Sequence, residues 1–468
     1  MSAQPAASSL PDTQSGLARH LGPWDGAAVV VSNVIGSGIF LLPVVIAQLI
    51  PHPWWMLGAW VAGGALAFAG AMAYAELAAL RPRAGGEYVY LREAFGPMLA
   101  FLTGWTSFVA GFSGAIAVGG VGIATYLGRV LPVAADTTPL VALPLGLVTL
   151  SLSPQAIVAL AAIALLTAVH VCGLGPGRIL QDFLAAAKIV LLVIFVVVGF
   201  TWGQGSFTHF SETAGPVEGS RWLLALLPVM FAYSGWNAAA YLAEEIREPG
   251  RNVPLALGLG TVVVVAIYVL LNLLYVYALP VTDFVVGGHM ADGVAARLFG
   301  PAVAAVVAVA LAVLIAASVS AMVFAGPRVY YAMARDHQFF PIAGRVHPRF
   351  RTPAIAIVAQ SVWAGVLVLT GTFQQLVTYT SFAVVLFSGV AVGALFVLRR
   401  RDPTAPRPFK AWGYPWAPGG FVLISAALVV NAFWLDSASA IAGLGVIGVG
   451  VPMYYATRVV ARRAPGIE

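Results

Sequence analysis

The stretch Val29–Pro43 reads VVVSNVIGSGIFLLP and lies inside the first apolar segment of the chain, residues 26–50. An apolar run of this length should cross a bilayer as one continuous helix, because lipid offers no water to unpaired backbone groups. Gly36, Ser37 and Gly38 interrupt the run, and glycine costs about 1 kcal/mol relative to alanine inside a helix. The stretch therefore predicts a helix that is broken at mid-membrane, although small residues at a helix–helix contact give the same pattern.

A broken membrane helix is a candidate binding site. The break is tolerated only where the freed backbone faces protein or a water-filled cavity. It leaves bare N–H groups at the start of one half-helix and bare C=O groups at the end of the other. A small ligand that carries both a carboxylate and an ammonium group finds partners for both charges there.

The composition is that of a polytopic membrane protein. Of the 468 residues 60% are hydrophobic and 9% are charged, against about 25% charged in soluble proteins. The single cysteine, Cys172, excludes an intramolecular disulfide and a cysteine-based metal site. The net charge of +6 indicates membrane topology rather than nucleic-acid binding. The polar first twenty residues are expected to be a cytoplasmic tail and not a signal peptide.

Twelve apolar segments are candidate membrane spans, which predicts an all-α membrane protein. They cover residues 26–50, 54–80, 97–127, 154–173, 180–202, 222–244, 253–280, 296–333, 353–370, 375–398, 418–435 and 438–458. Residues 131–153, between the third and fourth segments, are interpreted as a partly buried loop, with a re-entrant segment as the alternative.

The basic residues predict the orientation of these segments. With the N-terminus inside, twenty of the 24 Lys and Arg residues fall in inner segments and three, Arg129, Arg221 and Arg297, fall in outer loops. This bias predicts that both termini are cytoplasmic. Lys188 is the exception, because it lies within the fifth segment.

The sixth segment contains a second interruption. Leu227–Glu244 reads LPVMFAYSGWNAAAYLAE, with Ser234 and Gly235 at its middle. The first and sixth segments hold corresponding positions in two five-helix halves, residues 26–202 and 222–398. Because five is odd, the second half is inverted relative to the first, an arrangement typical of transporters. Helices eleven and twelve, residues 418–458, lie outside the repeat, and the predicted tails are residues 1–25 and 459–468.

These motifs resemble the amino acid–polyamine–organocation transporter superfamily, in particular its L-type amino acid transporter branch and bacterial relatives. The resemblance rests on VIGSGIF in the first segment, FAYSGWN in the sixth and EEIREPGRNVP after it, and extends to PRAGGEYVYLREAFG, RVYYAMARD, HPRFRTP and RPFKAWGYP. It implies the leucine-transporter-like fold, with 12 transmembrane helices in a 5+5 inverted repeat plus two extra helices. It also implies amino acid transport by alternating access, through exchange or proton coupling.

The resemblance places the substrate between the two breaks. The N–H groups near Ser37, Gly38 and Ile39 would hold the substrate carboxylate, and the carbonyl groups at the helix ends would hold its ammonium. Phe231 matches the aromatic gate of the family, and Asn237 is a candidate pocket-lining residue. The full candidate set is Ile35, Gly36, Ser37, Gly38, Ile39, Phe231, Ala232, Ser234 and Asn237.

Lys188 is interpreted in two ways. A lysine in a membrane segment is costly and needs a reason, and one reason is that it extends to the inner interface. The resemblance implies another: its ammonium occupies the position where sodium-coupled members of the fold hold a sodium ion. It would then bond to helix 1 carbonyls near Gly36 and to Ser318 or Ser320, and its protonation could couple to conformation.

Neutral L-amino acids of small or medium size are the expected substrates, because neither break contains a charged side chain to pair with a charged substrate. The alternatives are a polyamine or cationic amino acid transporter, or a binder that does not transport. The nearest acids, Glu76, Glu244 and Glu245, are expected to pair with loop arginines, and Glu87 is expected to be structural or part of an inner gate.

Other functional classes lack the residues they need. The chain has no HExxH, GxSxG or Walker A motif, so no enzyme activity, cofactor or metal is expected. Two different breaks in one chain also disfavour a channel. Cys172 is predicted near the inner end of the fourth segment, which argues against a disulfide-linked partner subunit on the outside. The expected partners are an amino acid, the bilayer of the plasma membrane and, as a candidate, protons.

Overall fold

The computed structural model describes residues 19–144, 149–172, 174–213, 215–287, 291–350, 352–370, 373–435 and 437–463, and most of these residues are helical. The first half contains α1 Pro23–Val34, α2 Ser37–Leu49, α3 Pro53–Leu80, α4 Glu87–Phe95, α5 Pro97–Thr106, α6 Phe112–Leu127, α7 Pro154–Val171 and α8 Leu174–Trp202. The second half contains α9 Gly219–Ala232, α10 Ala238–Tyr241, α11 Pro249–Ala278, α12 Val281–Gly287, α13 Ala291–Phe299, α14 Pro301–Ala325, α15 Pro327–Arg335, α16 Ala354–Thr370 and α17 Phe373–Arg401. The last two helices are α18 Trp416–Leu435 and α19 Ser437–Arg463.

The predicted segments coincide with these helices. Within the described residues, nine helical stretches are long and apolar enough to cross a membrane, and the bent pair α1–α2 makes a tenth. The two other predicted segments correspond to α9, followed by α10, and to α16, which are apolar but shorter. Residues 1–18 and 464–468 of the two predicted tails lie outside the described residues.

The first segment is broken, and the break lies slightly before the predicted one. Helix α1 ends at Val34, Ile35 and Gly36 are not helical, and α2 begins at Ser37. The two helices are bent by 41° at this point. The glycine at position 36 becomes the N-cap of α2, and it brings no side chain that could cap the free N–H groups.

The sixth segment is broken as well. Helix α9 ends at Ala232, and Gly235 has a φ of 100°, a left-handed conformation that favours glycine. The chain then forms only the single turn of α10 before it leaves the helical path. Both interruptions predicted from glycine and serine are therefore present in the structure.

Two other regions differ from the sequence prediction. The third segment is not one regular helix, because Ser107–Gly111 form a π-helical turn between α5 and α6. The described residues between 131 and 153 are partly buried, as predicted, but they form neither an irregular loop nor a re-entrant helix. They contain an antiparallel hairpin, β1 Val141–Pro144 and β2 Thr149–Leu152, and β1 is fully exposed. Pairing between the two strands provides hydrogen-bond partners for backbone groups of this segment.

The core surrounds the two breaks. Helix α1 packs against α8, α11 and α14, and α2 packs against α9. Buried aromatic rings fill the space beside the sixth segment, where Tyr233 and Tyr268 have ring centroids 4.9 Å apart and Trp60 meets Tyr268 edge-on at 5.7 Å. The breaks are thus held by packed helices on several sides.

Candidate functional site

The two breaks are in direct contact. A Cβ atom at Gly38 would lie 2.7 Å from the Cα of Ala232, so only a glycine permits this approach of α2 to α9. The hydroxyl of Tyr268 lies 2.7 Å from the carbonyl oxygen of Val34 and 3.0 Å from that of Ala232, and it donates to one of them. The C-terminal ends of α1 and α9 therefore meet at one tyrosine.

The first turn of α2 presents backbone N–H groups that no side chain caps. Ser37, Gly38 and Ile39 form this turn, and Ser37 is buried. The first N–H groups of a helix have no intrahelical partner, and the helix dipole adds positive charge there. This arrangement suits a carboxylate. The carboxylate contact with these three residues remains a prediction.

Lys188 is fully buried and lies beside the break of the first segment. Its ammonium donates to the carbonyl oxygen of Ile35 at 2.6 Å, to that of Ser32 at 3.1 Å and to the Ser318 hydroxyl at 3.0 Å. The contacts predicted for Lys188 are thus present, with Ser318 as the partner on α14. Ser320 instead bonds to His170 at 2.7 Å. A coupling role for Lys188 is not tested by these contacts.

The Ile35 carbonyl oxygen lies beside two polar side chains of the protein, Lys188 and Ser318. The Ser318 hydroxyl lies 2.5 Å from its oxygen and 2.8 Å from the oxygen of Ser32, and it donates to one of the two. The Ile35 oxygen thus accepts from Lys188, and the Ser318 hydroxyl lies within reach of its second lone pair. The contact of Ile35 with the substrate ammonium stays a prediction, and in this structure its oxygen accepts from the lysine ammonium.

A cavity of about 80 Å³, lined by both polar and apolar side chains, lies next to the break of the sixth segment. Its wall combines α1, the start of α4, α5, the π-helical turn, α6, the sixth-segment break, α10, α14 and α17. The lining residues are Asn33, Glu87, Thr103, Thr106, Ser107, Gly111, Phe112, Ala115, Ser234, Gly235, Trp236, Asn237, Tyr241, Met322, Thr380, Ala383, Val384, Phe387 and Ser388.

Two of the nine candidate residues line this cavity, Ser234 and Asn237. The other seven are not on the cavity wall. Among them, Gly38 and Ala232 lie at the contact between α2 and α9, and Ile35 and Gly36 lie beside Ser318. Phe231, the predicted gate, is buried at 5% exposure. The structure thus brings the two breaks together but puts the described cavity on the side of the sixth segment.

Glu87 is the main cavity residue that the sequence analysis did not assign to the site. It is buried, and the hydroxyl of Tyr241 donates to its Oε1 atom at 2.9 Å. Asn237 donates in turn to the Tyr241 oxygen, also at 2.9 Å, which links the carboxyl group to the helix break. Burial raises the pKa of Glu87 to about 7, and the Tyr241 hydrogen bond offsets part of that shift.

Three polar atoms of the cavity wall have no hydrogen-bond partner among the described residues. They are Asn33 Nδ2, Glu87 Oε2 and Thr106 Oγ1. Buried polar atoms are normally paired, so unpaired ones that share a cavity indicate a place where a polar ligand or water binds. Asn33 and Thr106 were likewise not predicted, because neither interrupts a helix.

The other acids near the inner ends of the helices are paired. Glu76 accepts from Arg399 Nε at 2.9 Å, and Glu245 accepts from Arg328 Nε at 3.1 Å. Arg335 forms a longer ion pair with Glu244 at 3.5 Å. The prediction that these acids pair with arginines is confirmed. Among the described residues, no group of three His, Cys, Asp or Glu side chains could hold a metal ion.

Comparison with known proteins covers nearly the whole chain. A family profile described as "Amino acid permease" matches residues 21–460. The b(0,+)-type amino acid transporter 1 of Oryctolagus cuniculus is 30% identical over 433 residues, which is 91% of this chain and 85% of that protein. The serine/threonine exchanger SteT of Bacillus subtilis is 28% identical over 450 residues, 94% of this chain and 97% of that protein. The large neutral amino acids transporter small subunit 2 of Mus musculus is 27% identical over 450 residues, which is 94% of this chain and 81% of that protein.

Proposed function

We propose, from the premise that the chain belongs to the amino acid permease family, that it exchanges small neutral L-amino acids across the plasma membrane. Membership in this family makes the chain a multi-pass membrane protein with the leucine-transporter-like fold, and an amino acid transporter rather than an enzyme. The proposal adds the substrate class, the exchange mode and the membrane.

The observation that carries the proposal is the contact between the two breaks. Uncapped N–H groups of α2 and the carbonyl ends of α1 and α9 meet where Gly38 touches Ala232. A zwitterion has one group for each set of backbone partners, and each charge-assisted hydrogen bond contributes about 1.5–3 kcal/mol. Alternating access in two inverted halves would expose this site to each side of the membrane in turn.

Neutral substrates are favoured because the buried charges near the two breaks already have partners, and because burial raises the pKa of Glu87, which forms no ion pair with a described residue, to about 7. Glu76 and Glu245 pair with arginines, and Lys188 bonds to helix 1. A charged substrate side chain would have to find a partner of its own, and an unpaired buried charge is costly. Similarity to the Bacillus subtilis serine/threonine exchanger supports both small neutral substrates and exchange. A polyamine or cationic amino acid transporter remains the second candidate.

Two further parts of the proposal concern assembly and orientation. We infer that the protein acts without an obligatory partner subunit and that both termini are cytoplasmic. Cys172 is exposed at the C-terminal end of α7, which the basic residues predict to be the inner end.

The test is uptake of labelled serine into proteoliposomes. Liposomes that contain the purified protein and unlabelled serine should take up the label with saturation, whereas liposomes without internal amino acid should take up little. Uptake driven by an inward proton gradient into liposomes without internal amino acid would contradict exchange. A preference for arginine or a polyamine over serine would contradict the substrate class.

Gly38→Ala tests whether the contact of the breaks is required. The added methyl group would lie 2.7 Å from the Ala232 backbone, and we expect uptake to fall by about tenfold to a hundredfold through misplacement of the N–H groups. Gly58→Ala on α3 is the matched control, because nothing lies within 4 Å of a Cβ at that position. Equal uptake by the two variants would contradict a site at the contact.

A further inference from the structure

The carboxyl group of Glu87 lies on the cavity wall and is held there by one hydrogen bond. Glu87 opens helix α4, which lies between the membrane-spanning helices α3 and α5 and not within a span. Its side chain is buried at 7% exposure, and one oxygen is bonded to Tyr241 while the other has no partner among the described residues. Half of the hydrogen-bonding capacity of this buried group is thus left for a species that the protein does not supply.

No cation neutralises this carboxyl group within the described part of the chain. The titratable side chains that face it are four tyrosines, Tyr74 of α3, Tyr90 of α4, Tyr241 of α10 and Tyr330 of α15. All four are uncharged at neutral pH. Arg328, the buried arginine of α15, is committed to Glu245.

We propose that Glu87 takes up a proton when a neutral amino acid enters the cavity, and that its protonated form is the one that accommodates a neutral substrate. The inference rests on the proposed function. A neutral side chain in the cavity removes the carboxylate from water without offering it a counter-charge, so occupation favours the uncharged carboxylic acid. The acid form also gains a donor at the oxygen that has no protein partner.

Protonation of Glu87 predicts that serine uptake decreases as the pH rises. Because the pKa of Glu87 is raised to about 7, the group is protonated below that pH and charged above it. Binding of a neutral substrate raises the pKa further and draws in a proton above neutrality. Uptake of serine should therefore fall by about tenfold from about pH 6 to about pH 8, following the protonated fraction of one group.

The first test measures how many protons the protein takes up when serine binds. Serine is titrated into the full-length protein in detergent, by calorimetry in two buffers of different ionisation enthalpy at about pH 8. We expect proton uptake on binding to the wild type and none with Glu87→Gln, whose amide mimics the protonated acid. Glu93→Gln is the matched control, since Glu93 lies on the same helix and pairs with Arg81 at 2.8 Å; it should behave as the wild type.

A second variant keeps the test decisive if Glu87→Gln does not fold. Tyr241→Phe removes the hydrogen bond that favours the charged carboxylate and should therefore move the pH of half-maximal serine uptake upward. In proteoliposomes, Glu87→Gln should give a flat profile at the rate of the acidic wild type.

The outcomes separate this inference from the proposed function. If the wild type binds no neutral amino acid at either pH, the proposed function fails and the inference fails with it. If serine binds without proton uptake, or if Glu87→Gln retains the pH profile of the wild type, only the inference fails. Loss of arginine binding in Glu87→Gln, with an unchanged response to serine, would instead assign the carboxylate to a cationic substrate side chain.

Discussion

Lys188 and Glu87 are both buried ionisable side chains that form no salt bridge with a described residue, yet their surroundings differ. The Lys188 ammonium donates three hydrogen bonds, to two carbonyl oxygens and one hydroxyl group. Glu87 uses one oxygen and leaves the other without a partner beside a cavity. An ammonium group has three donors, so Lys188 is fully satisfied. Glu87 is satisfied only in part, and that difference separates a charge that holds the structure from one that can bind.

The largest expected effect is at Lys188. Lys188→Ala leaves the carbonyl oxygens of Ser32 and Ile35 short of a donor, and each unsatisfied buried group costs about 1–3 kcal/mol. We expect substrate-driven uptake to fall by at least about a hundredfold, while the protein still inserts into the membrane. Proteoliposome uptake at several pH values, with the amount of inserted protein measured in parallel, checks this.

Lys188→Met separates charge from volume, because methionine keeps most of the side chain but donates no hydrogen bond. We expect Lys188→Met to lose substrate-driven uptake to the same extent as Lys188→Ala. Uptake by either variant at the rate of the wild type would remove Lys188 from the mechanism and leave it a packing residue.

The region around Lys188 is more closely packed than the cavity wall near Glu87. A Cβ at Gly36, beside Lys188, would lie 2.9 Å from Ser318 Oγ, whereas a Cβ at Gly111, on the cavity wall, would meet its nearest atom at 3.7 Å. Gly36→Ala should therefore destabilise the protein by about 1–3 kcal/mol. Gly111→Ala should change stability by no more than about 0.5 kcal/mol. Thermal unfolding in detergent measures the stability of both variants. Equal changes in unfolding temperature would mean that the two positions are equally closely packed.

The sequence was sufficient to predict the breaks for local reasons, because glycines at positions 36 and 235 conflict with a continuous helix. The contacts of Lys188 were implied by the family resemblance, since local reasoning equally allowed its side chain to extend to the inner interface. The roles of the nine candidate residues in substrate binding remain predictions, because they depend on a ligand and on more than one conformation.

The place of Glu87 could not be read from the sequence, because it depends on how a connecting segment folds back under the sixth segment. Gly86 has a φ of 53°, and a Cβ there would lie 2.5 Å from the Tyr241 ring. The chain therefore passes close against that ring and delivers the next side chain, Glu87, to the Tyr241 hydroxyl. The only local signal was the pair Gly85–Gly86 directly before an acid, and such a pair is equally typical of an exposed turn. The hairpin at residues 131–153 was missed for a similar reason, because strand pairing across a loop leaves no strong periodic pattern.

A smaller effect is expected at Ser318, which supports Lys188 without replacing it. Ser318→Ala removes one acceptor from the ammonium and one donor from the carbonyl groups of Ser32 and Ile35. Two contacts of Lys188 remain, so we expect a loss of about 1 kcal/mol in stability and a several-fold decrease in uptake. Ser320→Ala is the control on the same helix, since Ser320 bonds to His170 and not to the first segment. If Ser318→Ala and Ser320→Ala lowered uptake equally, the hydrogen bonds at the break of the first segment would not explain the importance of Lys188. If Ser318→Ala lowered uptake and Ser320→Ala did not, and if the loss were smaller than in Lys188→Ala, the loss of uptake would follow the number of hydrogen bonds removed at the break.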